Sequence, residues 1–352
     1  MLFHQFGTRT ARAGAIAAVF VSIALVATGC SSDSGTPAAS DGGSGSSDAN
    51  LSITFLPKNL GNAYFETSDK GGEKAIKEFG GSYAEVGPSE ATPDAQVSYI
   101  NTLTQQGVGA IVVSANDPKA IGGALNDARD AGVKVVTYDS DTDVEYRDVF
   151  INQADSAGIA KVQVGLIADQ IGDAGEVAIL SASANATNQN AWIELMKKEI
   201  ADNHPDITVV ETVYGDDDDQ TSFDKTAALL QTHPNLKGII SPTTVGIAAA
   251  ARYLQTSEYK GKVALTGLGT PNQMRDYVND GTVTAFALWN PADLGYLASY
   301  AAKALIEGTI TGAEGDTFDA GDLGSYSVGP DGVVLLGDPY EFNKDNIADF
   351  DF

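Results

Sequence analysis

The sequence predicts an α/β protein with two doubly wound, Rossmann-like lobes that are joined by a hinge and separated by a cleft. The chain has 352 residues, 43% of them apolar, which is enough for about two globular domains. From Leu51 onward, short apolar runs alternate with amphipathic stretches. This alternation predicts buried parallel strands connected by helices. Because the pattern resumes after Ala154, we expect two such sheets.

The first lobe is predicted from four apolar or β-branched runs, each followed by a polar or glycine-containing turn. These runs are Leu51–Leu56, Ser82–Val86, Ala110–Val113 and Val133–Tyr138. Between the second and third runs, Thr92 and Pro93 suit the N-cap and first residue of a helix that ends before Gly107. The order of strand, helix and strand predicts a βαβ unit.

The second lobe is predicted from five further runs that are separated by helical stretches. Strands are expected at 176–180, 207–214, 236–240, 263–268 and 282–288, with helices at 155–170, 192–200, 225–231 and 246–254. A last helix at 292–308 and an apolar run at 333–336 follow. We expect the first lobe to comprise residues 51–152 and about 291–327, and the second lobe residues 153–290 and about 328–352.

The first thirty residues are typical of a lipoprotein signal peptide. Arg9 and Arg12 precede an uncharged, mostly apolar stretch, 13–28, which is shorter than the ~20 residues that span a bilayer. The segment VATGC resembles the bacterial lipobox and ends at Cys30, the only Cys of the chain. An ordinary signal peptide with an incidental Cys is the alternative. Residues 31–50 are rich in Ser and Gly and predict a flexible tether, so we expect an extracytoplasmic protein that is lipid-anchored to the outer face of the cell membrane.

The composition excludes several functions. Twenty-one basic and 47 acidic residues leave a formal charge of −26, which disfavours nucleic acid and anionic ligands alike. The chain has three His and no GxGxxG, phosphate-binding loop, GxSxG or CxxC motif, so we expect no cofactor, no metal and no nucleotide, hydrolase or redox chemistry. The acids at 216–219 lack the glycine and final Glu of a calcium loop. They are interpreted as a solvated loop before a helix.

The candidate ligand-binding residues follow the carboxyl ends of the predicted strands, where open α/β sheets bind their ligands. They are amides, carboxylates, one ammonium group and aromatic rings, which together suit the hydroxyls and the apolar face of a sugar. The set is Lys58, Asn59, Tyr64, Phe65, Asn116, Asp139, Asp141, Asn188, Gln189, Pro242, Thr244, Trp289 and Asn290. Structural roles stay open for Asp141, which could orient Asp139, and for Phe65 and Trp289, which could pack in the core and at the hinge.

Segments spread over nearly the whole chain resemble the type I periplasmic binding proteins of ABC importers. Among them are FLPKNLGNAYF at 55–65, NATNQNAW at 185–192 and ALWNPADLGY at 287–296. They are similar to the branch that contains the rhamnose-binding protein and the receptor for the quorum signal autoinducer-2. The positions that match ligand contacts of the autoinducer-2 receptor are Lys58, Asp139, Gln189 and Pro242. Asn188 stands where that receptor has Asp, and Thr244 stands where it has Ala.

The resemblance implies capture of a ligand rather than its chemical conversion. We expect a monomeric solute-binding lipoprotein that closes on a neutral monosaccharide and delivers it to an ABC permease. Because a carboxylate is lost at position 188, rhamnose or a related deoxy sugar is the first choice. The alternatives are an autoinducer-2 receptor of the same fold, a receptor that signals to a sensor kinase, and a carbohydrate-active enzyme that uses Asp139 and Asp141 as an acid/base pair.

Overall fold

Two parallel sheets organise residues 49–352, which are the residues that the structure, a computed structural model, describes. The predicted signal peptide, Cys30 and the tether up to residue 48 lie outside the described residues. The predicted α/β fold class is confirmed by the two sheets and by the helices that alternate with their strands.

The bounds of the elements follow the apolar runs of the sequence closely. The strands are β1 (Ser52–Leu56), β2 (Ser82–Glu85), β3 (Ala110–Val113), β4 (Lys134–Tyr138), β5 (Val149–Asn152), β6 (Gly175–Ser181), β7 (Ile207–Tyr214), β8 (Leu236–Ser241), β9 (Ala264–Gly267), β10 (Ala285–Leu288), β11 (Thr317–Asp319), β12 (Ser325–Ser327), β13 (Val333–Leu335) and β14 (Tyr340–Asn343). The helices are α1 (Ala63–Glu78), α2 (Val97–Gln106), α3 (Gly122–Asp130), α4 (Ser156–Ile171), α5 (Thr187–Asn203), α6 (Asp219–Thr232), α7 (Thr244–Thr256), α8 (Pro271–Asn279) and α9 (Pro291–Ile306).

The first sheet has the strand order β13-β5-β4-β3-β1-β2, and every pairing in it is parallel. All four residues of β3 are buried, as expected for a strand that is covered on both faces. Helices α1 and α9 contribute to the core on one face, and α2 and α3 contribute to a second core on the other. We call this part of the molecule the N-lobe.

Helices α1 and α9 approach each other unusually closely because both carry glycine at the contact. A Cβ atom on Gly71 would lie 1.9 Å from the carbonyl oxygen of Ala292, and one on Gly295 would lie 1.9 Å from that of Ser68. Any larger residue would force the helices apart. The close packing fixes the middle of α1 against the first two turns of α9, and the preceding turn of α1 carries Tyr64 and Phe65, which line the cavity described below.

The second sheet has the order β7-β6-β8-β9, and all of its pairings are parallel. An isolated bridge between Leu268 and Ala287 connects its edge to β10, which pairs antiparallel with β14. The inner strands are continuous apolar runs because helices cover both faces of the sheet. We call this part the C-lobe.

The chain passes between the lobes three times, at 153–155, 289–290 and 336–339. The last crossing corrects the sequence-based boundary at 327/328. Strand β13 pairs with β5 of the N-lobe, with Val333 opposite Phe150, whereas β14 pairs with β10. Residues 328–335 therefore stay with the N-lobe. A three-residue apolar run carries no signal that distinguishes the two sheets, and tertiary pairing decides its place.

Helix α2 begins at Val97, four residues after the predicted start at Pro93. The residue before it, Gln96, is fully buried. Its Nε2 donates to the carbonyl oxygens of Pro57 and Ser114, at 3.1 and 2.7 Å. These bonds hold the residues after β1 and β3 together. Gln96 thus braces the loop that carries Lys58.

None of the helices in residues 49–352 combines the length and the apolar character that crossing a membrane requires.

Candidate functional site

A cavity lies between the lobes, where loops from the carboxyl ends of strands in both sheets converge. Nine of the predicted ligand residues line it: Lys58, Tyr64, Phe65, Asp139, Asn188, Gln189, Pro242, Thr244 and Trp289. The remaining lining residues are Asn62, Trp192, Asp217, Thr243, Leu268 and Leu288. The position agrees with the rule that parallel α/β sheets bind ligands beyond their carboxyl edges.

The N-lobe wall carries a buried ion pair. Lys58 Nζ lies 3.6 Å from Asp139 Oδ2, and both side chains are almost wholly buried. Ser114 donates its hydroxyl to the same Oδ2 at 2.9 Å. Asp139 has a positive φ of 61°, a conformation that is uncommon outside glycine. The buried pair compensates the cost of desolvating each charge only because additional hydrogen bonds surround it.

Asn188 of α5 connects this ion pair to the C-lobe. Its Oδ1 accepts from Lys58 Nζ at 3.3 Å and from the Gln189 backbone N–H at 2.9 Å. Its Nδ2 donates to the carbonyl oxygen of Asp139 at 3.3 Å. The amide therefore bridges the cleft with both of its polar atoms.

Aromatic rings from both lobes form an edge-to-face cluster along the cavity. The Tyr64 and Trp289 ring centroids are 6.2 Å apart at 89°, and those of Trp192 and Trp289 are 5.9 Å apart at 61°. Trp289 Nε1 donates to the Tyr64 hydroxyl at 2.9 Å. Phe65 packs at 5.2 Å from Tyr64. Phe65 and Trp289 thus line the cavity and also pack against neighbouring rings, so the two roles that the sequence left open coincide.

Burial raises the pKa of the Tyr64 phenol well above its usual range, and the Asp139 carboxylate raises it further. The phenol consequently stays neutral at physiological pH. The phenol oxygen accepts from Trp289 Nε1, and hydrogen bonding to the Asp139 side chain also contributes to the raised pKa.

The C-lobe wall presents amide and hydroxyl groups and one carboxylate. Gln189 Oε1 accepts from the Ser181 hydroxyl and from the Ala182 backbone N–H, both at 2.7 Å. These two bonds orient the Gln189 side chain, so its amide nitrogen is the remaining polar group. Thr243 donates its hydroxyl to Asp217 Oδ1 at 2.6 Å.

Asp217 corrects the interpretation of the acidic run at 216–219 as a wholly solvated loop. Asp216 and Asp219 are exposed, and Asp218 caps α6 by accepting from the Thr221 N–H at 2.7 Å. Asp217 instead lines the cavity. The reason is local: Asp216 and Asp217 both adopt positive φ angles, 54° and 50°, which turn the chain sharply between β7 and the cap.

Three predicted ligand residues lie outside the lining of the cavity. Asn116 Nδ2 donates to the carbonyl oxygen of Lys58 at 3.0 Å and so holds the loop after β1. Asn290 caps α9 by accepting from the Ala292 N–H at 3.0 Å. Asn59 lines a separate surface depression. Each follows a strand or a strand-end loop, as expected, but none of the three lines the cavity.

Asp141 is the fourth predicted residue that does not line the cavity. Arg147, which is buried, donates to both of its carboxylate oxygens at 2.7 and 2.8 Å. The Thr137 hydroxyl donates to Oδ1 at 2.5 Å. No hydrogen bond joins the Asp139 and Asp141 side chains among the described residues. Asp141 therefore stabilises the N-lobe and does not line the cavity, where the alternative acid/base role with Asp139 would place it.

Six lining residues are not in the predicted set. Leu288 ends a predicted strand, and Trp192 begins a predicted helix. Asn62 read as no more than part of a loop, although its side chain caps α1 by accepting from the Tyr64 N–H at 3.1 Å. Thr243 lies between Pro242 and Thr244, and Leu268 follows the end of β9; their positions at strand ends are the signal that could have extended the predicted set.

The described residues contain no cluster of three or more His, Cys, Asp or Glu side chains that could hold a metal ion. The site is built from hydrogen-bonding groups and aromatic rings.

A two-lobed α/β protein with a polar, aromatic cleft between its lobes is thus defined. The chain belongs to the periplasmic binding protein family, because the family model described as "Periplasmic binding protein domain" matches residues 53–310. This confirms the resemblance that the sequence motifs indicated.

Three solved structures illustrate what the chain is similar to. A sugar ABC transporter from Actinomyces odontolyticus is 54% identical, with 87% of this chain and 99% of that chain covered and a TM-score of 0.70. An ABC transporter solute-binding protein from Clostridium phytofermentas with bound L-rhamnose is 40% identical (84% and 97% covered, TM-score 0.82). LsrB from Clostridium saccharobutylicum in complex with AI-2 is 29% identical (85% and 99% covered, TM-score 0.81).

Proposed function

We propose that this protein captures a neutral monosaccharide, with L-rhamnose or a related deoxy sugar as first choice, and passes it unchanged to an ABC importer. The observation that carries the proposal is the cavity in which Lys58 and Asp139 of the N-lobe face Asn188 and Gln189 of the C-lobe. Vicinal hydroxyls donate to carboxylates and accept from ammonium and amide groups, so each wall offers partners for a polyol.

The aromatic and aliphatic lining supports a sugar over a purely polar ligand. The rings of Tyr64, Trp192 and Trp289 give the C–H face of a pyranose an apolar surface. Leu268 and Leu288 add an aliphatic patch that suits the methyl group of a 6-deoxy sugar. The similarity to the Clostridium phytofermentas protein, which holds L-rhamnose, favours the same choice.

Capture without turnover is supported by the arrangement of the carboxylates. An enzyme of the type considered above needs Asp139 and Asp141 as a pair, yet Asp141 is committed to Arg147. The ligand instead stabilises a closed arrangement of the lobes through contacts that both lobes make with it. The closed surface is what a permease recognises, and the lipobox at Cys30 would keep the receptor at the membrane.

The test is titration calorimetry of the protein with L-rhamnose, L-mannose, L-fucose, D-ribose, D-galactose and autoinducer-2, followed by recovery of the sugar. L-Mannose is the matched control because it differs from L-rhamnose only by the 6-hydroxyl. We expect micromolar binding of L-rhamnose, which corresponds to about −8 kcal/mol, at least roughly tenfold weaker binding of L-mannose, and unchanged sugar by NMR.

Other outcomes would redirect or end the proposal. Tighter binding of autoinducer-2 than of any sugar would make the protein a receptor for that signal. Conversion of the added sugar would make it an enzyme. Absence of heat and of a thermal shift with every compound would end the assignment to sugars.

A further inference from the structure

The polar groups of the C-lobe wall differ in how far the protein itself already uses them. Asn188 Oδ1 accepts two hydrogen bonds, from Lys58 and from the Gln189 N–H. Gln189 Oε1 likewise accepts two, from Ser181 and Ala182. A carbonyl oxygen has two lone pairs. Neither amide oxygen is therefore free to accept from a ligand hydroxyl.

Asp217 is the exception on this wall. Among the residues that the structure describes, its carboxylate accepts one side-chain hydrogen bond, from the Thr243 hydroxyl at 2.6 Å. An ionised carboxylate has room for about four donors. The hydrogen bonds of the described residues leave the rest of its accepting capacity unused, and Asp217 lines the cavity as well as the surface depression beside it.

The electrostatic surroundings of Asp217 also indicate that its carboxylate can accept a further hydrogen bond. Burial raises the pKa of the Asp217 carboxyl, which shows that the site solvates the charge less well than water does. The Lys58 charge and the Thr243 hydrogen bond act in the opposite direction, and the charges of Asp139 and Asp216 add to the rise. A ligand hydroxyl that donated to Asp217 would complete its solvation.

We infer that, in a protein that binds sugar as proposed above, Asp217 is the specificity-determining acceptor of the C-lobe and takes a hydrogen bond from one ligand hydroxyl. It supplies the acceptor that Asn188 does not. A ligand that lacks this hydroxyl, or that carries an anionic group in its place, leaves a half-buried carboxylate poorly satisfied.

The test compares Asp217→Asn with Asp216→Asn by calorimetry. Asp216 is a matched control because it is the neighbouring residue, has the same kind of positive φ and is exposed; Asn tolerates this backbone conformation well. We expect D217N to bind L-rhamnose roughly tenfold or more weakly, since hydrogen bonds to charged groups are the stronger ones. D216N should stay within about twofold of the unaltered protein, and both variants should keep their melting temperature.

The 2-, 3- and 4-deoxy analogues of L-rhamnose separate a direct contact from a structural effect. With a direct contact, one analogue binds the unaltered protein roughly tenfold more weakly than L-rhamnose, whereas D217N binds the two nearly equally. An equal loss by D217N for L-rhamnose and for all three analogues would overturn the inference. So would D217N binding of L-rhamnose within about twofold of the unaltered protein.

These results are distinguishable from a failure of the proposed function. If the unaltered protein binds L-rhamnose, a null result for D217N removes only the role of Asp217. If the unaltered protein binds no sugar of the panel, the proposed function fails and the inference about Asp217 fails with it.

Discussion

The two walls of the cavity use charge differently. On the N-lobe wall, Lys58 and Asp139 lie 3.6 Å apart and neutralise each other, and Ser114 adds a hydrogen bond. On the C-lobe wall, Asp217 has a hydroxyl partner, Thr243, and no ion pair within the described residues. The comparison suggests a division of work. The pre-formed N-lobe wall, whose two charges cancel, contributes affinity for any polyol. The charged acceptor on the C-lobe wall contributes specificity for one polyol over another.

The sharpest way to break this comparison is Asp139→Ala. The substitution leaves the Lys58 ammonium buried without its carboxylate and removes an acceptor from the N-lobe wall. We expect the ligand-induced rise in melting temperature to disappear, which corresponds to a loss of affinity of roughly 100-fold or more. Thermal-shift measurement with L-rhamnose checks it, with the exposed Asp127→Ala as control. Unchanged affinity would remove Asp139 from the site.

The next largest effect separates binding from stability within the N-lobe. Asp141→Ala leaves the buried Arg147 guanidinium unpaired, so we expect the free energy of unfolding to fall by about 3 kcal/mol. Because Asp141 does not line the cavity, the rise in melting temperature on adding L-rhamnose should persist. Urea denaturation and thermal shift measure the two quantities. Lost binding at unchanged stability would return Asp141 to the site.

A smaller effect is expected where the lobes meet at the aromatic cluster. Trp289→Phe removes the hydrogen bond from Nε1 to the Tyr64 hydroxyl and keeps an aromatic ring in place. We expect the free energy of unfolding, measured by urea denaturation, to fall by about 1 kcal/mol, which is the net contribution of one neutral hydrogen bond. Trp192→Phe is the matched variant, because the structure records no side-chain hydrogen bond for Trp192. Equal losses in both variants would assign the effect to ring size instead.

The smallest effect sharpens the contrast between the two carboxylates through pH. Burial raises the pKa of Asp217, with Asp139 and Asp216 adding to the rise and Lys58 and Thr243 opposing it. A ligand that donates to the ionised form binds less tightly once that form is protonated. Affinity should therefore fall a few-fold as the pH is lowered from 7 through this raised pKa, and D217N should show a flatter profile between pH 7 and 4. Parallel profiles for the two proteins would contradict the assignment.

The sequence predicted those parts of the site that depend on position along a strand. Lys58 and Asp139 lie within two residues of the ends of β1 and β4, and their side chains line the cavity. The geometry of parallel sheets makes this inference reliable, because every strand end faces the same edge. The same inference was wrong for Asp141, which is only two residues further along the chain and does not line the cavity. Its role depends on Arg147, six residues away along the chain, and composition does not reveal such pairings.

The sequence also did not predict that Asp217 lines the cavity, and the reason is related. A run of four acids looks like a solvated loop because charges are expensive to bury. Two consecutive positive φ angles turn one of the four toward the cleft. Side-chain direction in a tight turn depends on backbone angles that the sequence indicates only weakly for Asp.

What the sequence determined by itself is the alternation of strands and helices, hence the fold class, and the strand-end residues from which a polar cleft is built. These follow from hydrophobic periodicity, which is a local property. Only the tertiary structure decided that β13 joins the N-lobe sheet and that Asp141 pairs with Arg147 instead of lining the cavity. It also decided that Asp217 lines the cavity, to which Lys58 contributes from the other lobe. Each of these depends on a contact or turn geometry that residue order does not specify, because packing and long-range pairing select among conformations that are locally equivalent.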